Sequence, residues 1–316
     1  MRQFTRKLGK GFSKFLFPVL FKIFFLFKIN RRAVNFFSDK GFFANNNQNF
    51  SDLIFFLLNQ KKIIALDVGA QGGFNSDEFI PAKYNYFFDP ILVEPIKKEA
   101  NKLRKNQNNV IENGLWSSKT KKEIFILGNR LGSSSMYKPK SDFFDIHKIN
   151  KKNYDNYQVT QKIEVNCETL STSLIGLKIN KIDYLKIDTQ GAELEILKGI
   201  GDYRPLLIKI ESQVHSMYED VPSWNKLLDC LYKLNYVVID WKGIGSHATR
   251  VPAEMDMIFI PNFNNEIGKK LILENENKFV SLLLIFGQIS LLKIISYKNN
   301  FKSLDKIKNL QDLYFD

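Results

Sequence analysis

The sequence predicts an α/β fold: a mostly parallel, doubly wound sheet with an antiparallel strand at its end, flanked by helical N- and C-terminal extensions. Three observations predict it. Short apolar runs recur from residue 63 onward, separated by helix-length segments, as buried parallel strands do. The first run breaks into a glycine-rich turn. The last two runs, Tyr236–Asp240 and Met255–Ile260, leave no room for a helix between them, so they read as an antiparallel pair.

Each element follows in order. Residues 1–32 are basic and aromatic: Arg2, Arg6, Lys7, Lys10 and Lys14 precede an apolar run interrupted by Pro18, Lys22 and Lys28. The run is short for a membrane span, and no small-residue cleavage site follows it. It reads as an interfacial helix on an anionic membrane, or as a helix packed on its own domain or a second subunit. Residues 33–61 read as one or two helices, with Asp52–Leu58 the apolar stretch before the first strand. Strands are expected at Ile63–Val68, Ile91–Glu94, Val110–Leu115, Tyr184–Asp188 and Leu206–Glu211, with a hairpin strand around Ile124–Leu127. Helices are expected near Ser76 and at Ile96–Asn106, Ala192–Lys198 and Ser223–Leu234. Phe279 to Ile295 is apolar but broken by Gly287, Gln288 and Lys293, so it predicts one or two amphipathic helices that close the domain or pair two copies. The chain divides into an extension over 1–60, a main domain over 61–262 and a second extension over 263–316.

Composition narrows the partners. The 316 residues hold 44% hydrophobic residues, including 28 Phe, enough for a sizeable core. A net charge of +13 suits a membrane surface, nucleic acid or an acidic glycan, and equally a lysine-rich solvated surface. Cys167 and Cys230 stand in unrelated contexts, so no zinc or disulfide framework is implied, and a reducing, cytoplasmic compartment fits.

The chemistry begins at the turn. Asp67, Gly69, Gln71 and Gly73 spell D-x-G-x-Q-x-G, not the dinucleotide G-x-G-x-x-G. It reads as the variant that accommodates S-adenosylmethionine, a ligand without a pyrophosphate, or equally as an ordinary strand-to-turn connection. Glu94 ends the second strand, where a carboxylate can accept both ribose hydroxyls. Asp188 and Glu211 end two further strands, and ligands in open α/β sheets sit at those ends. Glu193 and His215 lie just beyond them. Asp188, Glu193, Glu211 and His215 could therefore surround one acceptor hydroxyl and supply its general base. Glu193 could equally serve only its helix N-terminus, and His215 a surface loop. A carboxylate pair could hold Mg²⁺, but no third ligand is evident, so a metal is not favoured. The Gly132–Met136 loop reads as a flexible linker or as a donor set for a polyhydroxyl acceptor.

Taken together, the residues resemble the FkbM family of S-adenosylmethionine-dependent methyltransferases. The resemblance covers about residues 60–262. It rests on the Asp67–Gly73 turn, Val93-Glu-Pro95, Asn113-Gly-Leu115, Gly132–Ser135, the long stretch Ile182–Gly199 with its Leu-Lys-Ile-Asp-Thr-Gln-Gly-Ala-Glu core, and Glu254-Met-Asp256. It implies a Rossmann-like class I methyltransferase fold and methyl transfer to an oxygen, usually a hydroxyl of a sugar or other secondary metabolite. By matching positions, Asp67, Gly69, Gln71, Gly73, Glu94 and Asn113 would bind the cofactor, and Asp188, Glu193 and Glu211 would line the acceptor side. The family usually carries Asn where Gln71 stands; Gln keeps the amide and adds a methylene.

Two other readings compete. A membrane-associated, non-catalytic scaffold of a glycan-assembly system would use the charged, amphipathic ends. A nucleic-acid methyltransferase would use only the charge, and no Asn/Asp-Pro-Pro-Tyr/Phe motif for a flipped base appears, so nucleic acid is not the expected partner. The expected partners are a small-molecule or glycan acceptor, an anionic membrane at the cytoplasmic face through residues 1–32, and a second copy of the chain.

Overall fold

The computed structural model describes residues 50–74, 80–147, 149–244 and 252–303. The expected interfacial segment over 1–32 and the expected helix start near Ser76 lie outside these residues.

The chain enters through α1 (Ser51–Leu58), whose last turn ends at Asn59 in the left-handed region. It then runs β1 (Ile63–Val68), β2 (Phe88–Val93), α2 (Lys97–Leu103), β3 (Val110–Ile111), β4 (Gly114–Leu115), β5 (Thr120–Leu127), a single helical turn α3 (Phe143–Ile146), β6 (Val159–Glu168) and α4 (Leu170–Gly176). It continues through β7 (Tyr184–Ile187), α5 (Glu193–Lys198), β8 (Leu207–Gln213), α6 (Trp224–Lys233), β9 (Tyr236–Ile244) and β10 (Glu254–Pro261). It closes with α7 (Glu266–Glu274), α8 (Glu276–Ile285) and α9 (Ile289–Asn299).

The main sheet has seven strands in the order β3-β2-β1-β7-β8-β10-β9. β1 pairs in parallel with β2 and β7, and β7 with β8. β10 runs antiparallel between β8 and β9, as the missing helix between the last two runs required. The order reverses at β1, so a crevice opens where the chain leaves β1 on one side and β7 on the other.

The two sheet faces are built differently, because alternate residues of a strand point to opposite faces. One face is apolar along its whole length. Leu66, Val68, Ile91, Val93, Leu185, Ile187, Ile208, Ile210, Met257 and Phe259 join α5 and α6 in one core cluster. The opposite face begins apolar and ends charged. Ile63, Ala65, Phe88, Leu92, Tyr184, Leu207, Ile258 and Ile260 join α1 and α7–α9 in the second cluster. Beyond them, toward the carboxyl ends of the parallel strands, the same alternation continues as Asp67, Glu94, Lys186, Asp188, Lys209, Glu211 and Asp256.

Two expectations are corrected. Val110–Leu115 is not one strand. Val110–Ile111 extends the main sheet, whereas Gly114–Leu115 pairs with β6 in a separate three-stranded sheet, order β4-β6-β5. Gly114 marks the break: a Cβ there would sit 2.6 Å from Met136 Cε and 2.7 Å from Cys167 Sγ, so a larger residue would push these side chains aside. β6 itself was not foreseen: its first half is exposed and mostly polar, and the short alternation Ile163, Val165, Cys167 that turns toward the core was passed over. The hairpin strand around Ile124–Leu127 is the inner half of the longer β5, which pairs antiparallel with β6.

The Phe279–Ile295 stretch forms parts of two helices, α8 and α9, interrupted at Gly287, whose φ is +68°. Phe279 through Phe286 are all buried, so α8 has no polar face of the kind an amphipathic surface helix shows. Residues 266–299 therefore share the main core and are not an appendage to it. Asp183, fully buried just before β7, fastens them: it accepts the Ile64 N–H at 2.9 Å and the Lys278 ammonium from α8.

Candidate active site

The glycine turn lies flat against the end of β7. Gly69 has φ +83°, and its N–H donates to the Val93 carbonyl at 3.1 Å. A Cβ on Gly69 would stand 1.9 Å from the Asp188 carbonyl oxygen, which no side chain tolerates. The two strand ends are therefore drawn together at the crevice, and a cavity of about 630 Å³ opens above them. That volume falls in the usual range for small-molecule sites.

On one side of the cavity stand Gly69, Gln71 and Glu94. Glu94 is buried, and one of its oxygens accepts the Ile96 N–H at 2.9 Å. Burial pushes its carboxyl up to about 7, against the Ile96 bond, with Glu99 adding a little. Gly132 closes over the turn; a Cβ there would come within 2.9 Å of Gln71 Oε1. The Gly132–Met136 loop is fastened to its surroundings. Ser134 Oγ accepts the Leu127 N–H at 3.1 Å, and Ser135 Oγ donates to the Gln190 carbonyl at 2.6 Å.

On the other side stand Asp188, just past β7, and Glu211, beside it where the parallel pairing of β7 and β8 stops; β8 runs on to Gln213, two residues beyond the expected end. The Asp188 side chain is 34% exposed, with Lys186 Nζ 3.9 Å away. Glu211 is held well above the usual carboxylate range, first by burial and then by Asp188, Glu254 and Asp256. The Gln190 amide donates to it at 2.8 Å and works in the opposite direction. Gly132, Asp188, Gln190 and Glu211 also border a second cavity of about 420 Å³, walled by Arg130, His147, Tyr157 and Glu254. Burial, then Asp188 and Asp256, push Glu254 up to about 7, and Arg130 opposes them.

Five residues of the sequence-derived set lie elsewhere. Asp67 is buried beneath the turn, paired with Lys186 at 3.2 Å. Gly73 and Asn113 do not line the cavity. Glu193 is buried and turned back on its own loop. Its Oε1 accepts the N–H groups of Thr189 and Gly191 at 3.1 and 2.9 Å and the Thr189 hydroxyl at 3.1 Å. His215 lies off both cavities; its carbonyl meets His147 Nε2 at 2.9 Å, and burial lowers the His147 pKa. Sequence reasoning singled out neither His147 nor Gln190, Arg130 or Tyr157. It also passed over Lys186 and Lys209, which face the first cavity. A signal for these two was present: Leu-Lys-Ile-Asp at 185–188 and Ile-Lys-Ile-Glu at 208–211 repeat one beat on neighbouring strands. Among the described residues no three His, Cys, Asp or Glu side chains group as a metal site.

The sequence pattern of the methyltransferase FkbM domain matches residues 67–238, more than half of the chain. The chain belongs to the FkbM methyltransferase family. No curated protein matches it. Two solved structures are similar to it at low level. One is a putative DNA modification methyltransferase encoded within an E. coli prophage: 11% identity, TM-score 0.34, 67% of this chain and 48% of that one. The other is the small RNA methyltransferase HEN1: 11% identity, TM-score 0.30, 66% of this chain and 24% of that one. The chain thus spans about half of the first and a quarter of the second, and neither bears on what the FkbM protein acts on.

Membership of a methyltransferase family implies S-adenosylmethionine as donor. The donor set fits it. Gly69 and Gln71 of the turn line the cavity, and the buried Glu94 carboxylate just past β2 faces the space beside them.

Proposed function

We propose that this FkbM protein transfers a methyl group from S-adenosylmethionine to a hydroxyl of a sugar, glycan or related metabolite. One observation carries the reading. Asp188 and Glu211, on adjacent strand ends, open onto the same cavity as the glycine turn and Glu94. A cofactor cradle and a pair of carboxylates in one crevice are what proton removal beside a methyl donor requires.

Gly69 and Gln71 would receive the amino-acid end of the cofactor, and Glu94 its ribose hydroxyls. When bound, the cofactor supplies an electrophilic sulfonium methyl. Glu211, kept basic by burial and by its acidic neighbours, takes the proton of the acceptor hydroxyl. Asp188, partly exposed at the mouth, accepts a hydrogen bond that orients the same acceptor. The second cavity receives the body of the acceptor: carboxylates and His147 offer hydrogen-bond partners to hydroxyls, and Tyr157 offers a ring face. Much of the rate comes from holding two reactants in line.

Calorimetric titration with S-adenosylmethionine and S-adenosylhomocysteine tests the cradle, and a screen of sugar and glycolipid acceptors tests the chemistry. Micromolar binding with methyl incorporation into a hydroxyl supports the reading. A folded protein that binds neither ligand would overturn it in favour of a non-catalytic scaffold.

A further inference from the structure

Gln190 sits at the seam of the two cavities, and its backbone is unusual. Its φ is +59°, a left-handed conformation that a residue with a long side chain adopts only when its surroundings impose it. The surroundings do so here. Ser135 Oγ donates to its carbonyl at 2.6 Å. Gln213 Nε2 donates to its Oε1 at 3.2 Å, and the Tyr218 hydroxyl is shared between that Oε1, at 3.2 Å, and the Ser133 carbonyl, at 2.5 Å. With the Gln213 donor on its oxygen, the amide presents its N–H groups to the other side. There Nε2 donates to Glu211 Oε1 at 2.8 Å and reaches Asp188 Oδ1 at 3.4 Å. The reversed amide would set its nitrogen against the Gln213 Nε2 donor, whose own amide is fixed by the Ser216 hydroxyl and the Met217 N–H on its Oε1, so its orientation is determined.

We propose that Gln190 is a positioning residue. Its amide, locked from behind by Gln213 and Tyr218, aims the Glu211 carboxylate across the seam between the cofactor and acceptor cavities. Glu211's role as base rests on the methyl-transfer reading; its orientation by Gln190 does not.

The groups facing Glu211 make the effect measurable. Asp188 comes from the end of β7, and Glu254 and Asp256 from β10, all acidic. Lys209 on its own strand pairs with Asp256 at 3.6 Å, Lys186 lies 3.9 Å from Asp188, and Arg130 acts on Glu254. Against these, the amide donor favours the ionised form of Glu211. Removing it should let Glu211 keep its proton to higher pH.

The test is a pH titration of full-length protein carrying ¹³C at the glutamate carboxyls, followed by NMR, with Glu211→Gln assigning the resonance. Gln190→Met keeps the length of the side chain and deletes the amide. It should move the Glu211 midpoint up by about one pH unit. Where methyl transfer is measured, the acid limb of the rate profile should move with it, while affinity for S-adenosylmethionine stays within about twofold. A Glu211 midpoint equal to wild type would overturn the proposal, because a merely structural Gln190 would not set it. Tyr218→Phe, which removes a donor from behind the amide, supplies a second variant should Gln190→Met not fold. It should move the same midpoint in the same direction, and an unmoved midpoint there counts equally against the proposal. A shifted midpoint in a protein that methylates no hydroxyl acceptor would leave Gln190's role intact and defeat the assigned reaction.

Discussion

Three carboxylates illustrate how far a residue's place decides its chemistry. Glu94 is pushed up to about 7 by burial, whereas a solvated glutamate titrates near 4.5. Below 4.5 the proton is held in both folded and unfolded chains, and the residue has no linked effect on stability. Between 4.5 and 7 the folded chain holds it longer, so stability falls as pH rises, and above 7 the full penalty of about 3 kcal/mol applies. Glu94→Gln should therefore stabilise the unliganded protein toward urea at pH 8 and have little effect at pH 5, while weakening S-adenosylmethionine binding at least tenfold. A variant with no stability gain at pH 8 would show that burial is not what strains Glu94. The cofactor affinity of the wild type should itself decline as pH drops below 7, since the protonated acid accepts ribose hydroxyls poorly. Asp188→Asn should abolish transfer while cofactor binding, read by calorimetry, survives. Full turnover would remove Asp188 from the chemistry. At this scale the sequence disclosed the acids at strand ends, because strand ends are where such sheets bind ligands. It did not disclose that Glu193 faces inward: its position in the first helical turn is compatible with a cap, a clamp or a catalyst, and only the Thr189–Gly191 backbone selects among them.

Among the elements, the parallel strands were legible because each is a short run buried on both faces, and the antiparallel end because no helix fits between the last two runs. β6 was not. Its first half is exposed and mostly polar, and the alternation at Ile163, Val165 and Cys167 is short, so pairing with β5 adds what the local pattern shows only weakly. The charged half of one sheet face was half-legible: the acids were read one at a time, whereas Asp67, Lys186 and Lys209 lie side by side in register on β1, β7 and β8. Each lysine lies near an acid, Lys186 to Asp67 and Lys209 to Asp256, which is how buried charges are tolerated. The buried α8 permits a direct test. Phe279 is fully buried and meets Phe301 edge-on. Phe279→Ala should cost about 3–5 kcal/mol in urea unfolding. A loss below 1 kcal/mol would show that α8 is dispensable to the core.

For the whole molecule, the +13 charge and the basic, aromatic residues 1–32 carry an expectation of anionic membrane contact. Among the described residues no helix is long and apolar enough to cross a membrane. Full-length protein should pellet with phosphatidylglycerol-containing vesicles and not with neutral ones, less so in high salt, and deletion of 1–32 should end it. Equal pelleting by the deletion variant would assign the contact to another surface. The shared core has a further consequence, in the order of events during synthesis. α1 and β1 leave the ribosome well before the helices that cover their face, α7–α9. The sheet face beneath them lacks these helices until they have been made, so the slow step of folding should be closure over a long stretch of chain. A nascent chain stalled before residue 276 would present that apolar face to chaperones instead of to its own helices.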